Sequence, residues 1–144
     1  MKIGFQNNDW SVMESGDFRN VKLLKPEDFL ARNGTLYRLP YGASSDLAST
    51  PKAVWGAPLF LIPCGWYAHA AFGHDCGYQN TLLIVLPDGS TVKARLSKAE
   101  CDSLLLEMMQ SLKPEPTSCE TLQMNAIYDG VALGGWHAFK EDRS

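Results

Sequence analysis

The stretch Ala70-Ala71-Phe72-Gly73-His74-Asp75-Cys76-Gly77-Tyr78 decides how this chain is read. Tyr67, Ala70, Ala71, His74 and Tyr78 recur at three- and four-residue spacings. Residues 66–79 are therefore predicted to be a helix carrying these side chains on one face. Small residues in that segment let the helix approach a neighbour closely. A histidine and an aspartate placed there are either tied into core hydrogen bonds or poised for chemistry. They are adjacent, so they point in different directions and each needs its own partner.

Downstream, Leu82-Leu83-Ile84-Val85-Leu86, Pro87-Asp88-Gly89-Ser90 and Thr91-Val92-Lys93-Ala94-Arg95 predict a β-hairpin over 81–95. Ser97 and Glu100 have capping-box spacing ahead of the apolar stripe Cys101, Leu104, Leu105, Met108, Met109 and Leu112, which predicts a helix over 98–112. Asp102 lies at the edge of that stripe, where a carboxylate wants a partner. Thr117 and Glu120 repeat the capping box, and a third helix is predicted from about 118 to 133, ended by Gly134-Gly135.

Upstream, Val21-Lys22-Leu23-Leu24 and Thr35-Leu36-Tyr37-Arg38-Leu39-Pro40 read as short strands, with an Asn33-Gly34 turn before the second. Lys25-Pro26-Glu27-Asp28-Phe29-Leu30 reads as one helical turn, with Pro26 near its start. Residues 40–66, rich in Pro, Gly and Ser, read as a long loop whose Val54, Trp55, Leu59, Phe60 and Ile62 call for burial. The expected architecture is α+β: a three-helix core with an inserted β-hairpin and a short-stranded N-terminal part. One domain spans 1–144, with residues 1–38 as the strand-like part and 39–136 as the core.

The bulk numbers agree with that picture. The chain has 144 residues, 45% hydrophobic and 20% charged, with a formal net charge of -3. That is enough for one core without staples. A net negative chain with no basic run argues against a general nucleic-acid binder. No apolar run reaches transmembrane length, and the polar N-terminus does not read as a signal peptide. Cys64, Cys76, Cys101 and Cys119 form no CxxC pair and match no zinc spacing, so reduced thiols in a cytoplasmic setting are expected.

His74 and Asp102 lie on two predicted helices joined by a hairpin, an arrangement that can bring them together by antiparallel packing. A His–Asp pair fixes one imidazole tautomer and leaves the other nitrogen as an acceptor able to activate water. No Gly-x-Ser-x-Gly elbow supports a serine nucleophile. Asp75 is then available for another task. Asp46, in Ser44-Ser45-Asp46-Leu47-Ala48-Ser49, supplies a second carboxylate in a loop with backbone carbonyls, a donor set suited to calcium rather than zinc. Each residue also has a purely structural reading. His74 can bond a core carbonyl, Asp75 a loop amide, Asp46 a turn, and Asp102 the N-terminal end of its helix. His69 faces away from the His74 face, His137 falls in an exposed C-terminal segment, and Met108-Met109 read as core.

The segments "YGASSDLASTPK", "AAFGHDCGY" and "ECD", running from about Leu39 to Trp136, resemble a family of uncharacterised proteins common in bacteriophages and prophages. The same order is similar to the small phospholipases A2 of bacteria and fungi. That likeness rests on Asp46-Leu47-Ala48, on His74-Asp75-Cys76-Gly77-Tyr78-Gln79-Asn80, on Asp102 ahead of Leu105 and Met109, and on a third helix from Cys119 to Gly134. It implies His74 as the base and Asp102 as its orienter. It further implies a calcium ion held by Asp46, the Leu47 carbonyl and Asp75, and phospholipid or another ester as substrate. Both cysteines of that family's loop-to-helix bridge read here as Ala48 and Ala71, which suits a reducing compartment such as the cytoplasm of a bacterial host.

The expected function is thus a phage- or prophage-type, calcium-dependent ester hydrolase. The alternative is a non-enzymatic phage accessory, anti-defence or virion-associated protein using the same scaffold to bind a ligand or a protein. In that case side chains such as Trp55 or Phe60 would cover His74.

Overall fold

A computed structural model of the chain describes residues 1–14, 21–45 and 66–134. Asp46, Leu47, Trp55, Phe60, Cys64, Gly135 and His137 lie outside the described residues. The described elements are β1 (Gly4–Phe5), β2 (Val12–Glu14), β3 (Val21–Leu23), β4 (Glu27–Leu30), β5 (Leu36–Leu39), β6 (Ser44–Ser45), α1 (Ala68–Tyr78), β7 (Leu83–Val85), β8 (Thr91–Lys93), α2 (Lys98–Leu112) and α3 (Ser118–Gly134). The class is α+β, as expected: the described residues form three helices and two antiparallel sheets.

The larger sheet has the order β1-β4-β5-β7-β8, and the smaller has β2-β3-β6. The predicted hairpin is β7–β8. Gly89, at φ +88°, supplies its turn, and Asp88 Oδ1 accepts from the Ser90 amide. The hairpin is not an isolated insertion, because β7 pairs with β5 (Leu36↔Val85, Tyr37↔Ile84, Arg38↔Leu83) and so extends the N-terminal strands.

Residues 27–30, read from sequence as a helical turn, are instead β4. The strand pairs on both sides, with β1 (Phe5↔Phe29) and with β5 (Glu27↔Leu39, Asp28↔Arg38). Two ladders outweigh the single turn that Pro26 suggested. Glu27 and Phe29 are buried while Asp28 and Leu30 are half-buried, the period of two that a strand requires. Across the outer face, Arg38 Nε and Nη2 donate to the two Asp28 oxygens at 2.8 and 2.9 Å. This bidentate cross-strand pair fixes the β4–β5 register.

The core unites sheet and helices. Phe29, Leu39, Phe72, Leu82, Leu105, Met108, Met109 and Ile127 are fully buried. The α2 cap forms as read: Ser97 Oγ accepts from the Glu100 amide at 3.1 Å and Glu100 Oε1 accepts from the Ser97 amide at 2.9 Å. Thr117 and Glu120 make the same reciprocal pair at α3. Among the described cysteines Cys76, Cys101 and Cys119 are free thiols. No described helix is long and apolar enough to cross a membrane.

Candidate functional site

The site starts from two glycines. A Cβ built on Gly73 would lie 2.5 Å from Met108 Sδ, and one on Gly77 would lie 2.9 Å from Cys101 Sγ. Both distances are below what real Cβ atoms tolerate, so α1 can approach α2 this closely only because these positions have no side chain. Gly73 and Gly77 are one turn apart, and so are their neighbours His74 and Tyr78. The close approach delivers both of those side chains to Asp102 on α2.

There, His74 Nε2 meets Asp102 Oδ1 at 2.8 Å. The Tyr78 hydroxyl donates to the same oxygen at 2.6 Å. Lys98 Nζ donates to Asp102 Oδ2 at 2.8 Å. The Tyr78 ring lies against the imidazole, centroids 4.0 Å apart. His74 and Asp102 are each 3% exposed and Lys98 is 5% exposed, so this is a buried network.

Burial would raise the Asp102 carboxyl, but hydrogen bonds from His74, Lys98 and Tyr78 outweigh it and hold the group below its ordinary value. Asp102 is therefore ionised and can only accept. It follows that His74 presents a protonated Nε2 to it. Burial pulls His74 below the ordinary histidine value, with the Lys98 charge acting the same way, against the opposing pull of Asp102. The imidazole is thus neutral near neutral pH, with its proton on Nε2 and its basic lone pair on Nδ1. Burial, the bond to Asp102 and the carboxylate's charge all push the Tyr78 phenol upward, so it remains a donor.

Asp75 points elsewhere, as adjacency requires. Its Oδ2 accepts from Ser45 Oγ, at the end of β6. Ser45 immediately precedes Asp46 in the chain. An oxygen donor of this kind suits a hard cation. Among the described residues no group of three or more His, Cys, Asp or Glu side chains is placed to hold a metal ion. The expected ligands Asp46 and Leu47 lie outside the described residues.

Sequence reasoning brought His74 and Asp102 together but missed Lys98, the Tyr78 hydroxyl and Ser45. Lys98 and Asp102 stand at i and i+4, a readable signal. It is a weak one, because on a solvated helix the lysine-first order is the less favourable. His69 takes no part in the site. Its ring stacks on Trp10 at 4.0 Å and 4°, beside Phe5. A cavity of about 290 Å³ opens on another side of α2, lined by Asn33, Tyr37, Glu100, Ser103 and Glu107 among others, and does not include the dyad.

Neither a curated protein nor a solved structure matches the chain. A family model does match, over residues 21–125, from β3 through both dyad residues into α3. That span is most of the chain, and the chain belongs to the family described as "Protein of unknown function (DUF1353)".

Proposed function

We propose that the chain is a calcium-dependent hydrolase of carboxylic esters, working through a His74–Asp102 dyad and acting in a phage or prophage setting. The observation that carries this reading is the bond from His74 Nε2 to an ionised, buried Asp102. An oriented neutral imidazole with its lone pair on Nδ1 is what general-base activation of water requires. In this reading Nδ1 takes a proton from water as the water attacks the ester carbonyl. Asp102 holds the ring and stabilises the imidazolium that forms. Asp75 would hold calcium together with Asp46 and the Leu47 carbonyl. Bound calcium would polarise the ester carbonyl and stabilise the oxyanion. The order of motifs shared with phospholipases A2 supports phospholipid as the substrate class.

A second reading has its own observation. Lys98 offsets the Asp102 charge, and the His74 side chain is almost wholly enclosed. A closed, neutral network of that kind also suits a binding or accessory protein in which the dyad specifies the core.

Two measurements separate the readings. The first is calorimetric titration of calcium into wild type, Asp46→Ala and Asp75→Ala. The second is fatty-acid release from phosphatidylglycerol vesicles, with His74→Ala as control. The hydrolase reading expects calcium binding that both carboxylate variants lose, and release that requires both calcium and His74. Absence of heat at millimolar calcium together with absence of release removes the hydrolase and leaves the accessory reading.

A further inference from the structure

We infer that Lys98 is the positioning residue of the His74–Asp102 dyad, tying the end of α3 to the carboxylate that orients the imidazole. This rests on the proposed hydrolase only for its catalytic consequence; the geometry stands apart from it.

Lys98 is the first residue of α2, where the positive end of the helix dipole disfavours a cation. It is also 5% exposed, and a buried ammonium is costly unless oxygens surround it. The structure supplies them. Lys98 Nζ donates to Asp102 Oδ2 at 2.8 Å, to the Val131 carbonyl at 2.8 Å and to the Ala132 carbonyl at 3.3 Å. Val131 and Ala132 lie in the last turn of α3, at the negative end of that helix. One side chain thus satisfies the C-terminal end of α3 and pins one oxygen of Asp102.

The pinned oxygen determines the rest. With Oδ2 on Lys98, Oδ1 is the atom turned to His74 and Tyr78. Without the ammonium, Oδ2 is a buried acceptor without this donor, and the carboxyl then rotates or takes up a proton. A protonated or turned carboxyl no longer requires a protonated Nε2. Lys98 thereby fixes the tautomer of a residue it does not touch.

The test is nitrogen-15 NMR of the full chain. Wild type should show His74 as the Nε2–H tautomer, with a slowly exchanging ring proton and a Lys98 ammonium resonance shielded from water exchange. Lys98→Met should lose the single tautomer, and Lys98→Arg should retain it. An unchanged His74 spectrum in Lys98→Met overturns the inference. If Lys98→Met does not fold, wild type and Lys98→Arg still decide: a rapidly exchanging wild-type ammonium, or a lost tautomer in the charge-retaining variant, overturns it equally. None of these signals needs calcium or an ester. Where hydrolysis is measured, Lys98→Met should lower kcat about a hundredfold with KM held, the size of a displaced general base. A moved spectrum with no hydrolysis in wild type sinks the proposed function alone. Hydrolysis with an unmoved spectrum sinks the role of Lys98 alone.

Discussion

His69 and His74 sit on the same helix and meet different surroundings. His69 lies flat on Trp10, and burial holds it below the ordinary histidine value. Its neutral form is therefore favoured in the folded chain. As pH falls through the unfolded value of about 6.5, the unfolded chain binds the proton first. Stability is present above that pH and is lost on acidification toward the folded value. His74 contributes with the same sign. Asp102, held low, adds a loss that begins below about pH 4. The substitution His69→Phe keeps an aromatic ring on Trp10 and removes one titration. Urea midpoints measured between about pH 7 and pH 5 should fall less steeply in that variant than in wild type. Equal slopes would mean that His69 is not held neutral by its burial.

Helix packing carries the next set of consequences. Gly77 faces Cys101 Sγ, the end of a short side chain with little room to retreat, while Gly73 faces the flexible thioether of Met108. Gly77→Ala is expected to lower stability by about 1–3 kcal/mol, beyond any gain in helix propensity, and to separate His74 from Asp102. Gly73→Ala should cost less, because the Met108 thioether can swing aside. Thermal melts of the two variants check the order. Ser97→Ala removes a donor–acceptor pair that the structure shows complete, and should cost about 1 kcal/mol. What was legible in the sequence at this level follows the same physics. Caps, the Asp88-Gly89 turn and the α2 stripe depend on neighbours a few residues away, and the chain displays them directly. Residues 27–30 were misread because their conformation is set by pairing on both sides, with β5 across the Asn33-Gly34 turn and with β1, a strand distant in sequence. Asp102 was legible as a buried acid in need of a partner. That Lys98 would be one was not, since its burial depends on the carbonyls at the far end of α3.

The whole molecule is organised by the pairing of β5 with β7. These strands are direct neighbours, yet residues 40–82 run between them and carry β6, α1, His74 and Asp75. The β7–β8 hairpin can form alone, whereas the β5–β7 ladder must close a long loop, which makes it the slower event. The dyad also needs α1 seated on α2. In pulse-labelled hydrogen exchange during refolding, protection of the Val85 amide, which faces β5, and of the His74 ring proton should therefore appear together, after the hairpin. Protection of the His74 proton well before the Val85 amide would show that the helices assemble without the sheet.

The same pairing has a consequence for inheritance. Antiparallel neighbours can be joined by as few as two residues. Nothing in the β5–β7 register requires the long passage between them, so the sheet places no constraint on that passage's length. Within it β6 is held by β3 and α1 by α2, so lineages carrying this fold can lengthen or shorten the chain between those two elements, β6 and α1, while every strand keeps its partner. Differences in length among relatives should gather there, with β6 and α1 as the fixed margins.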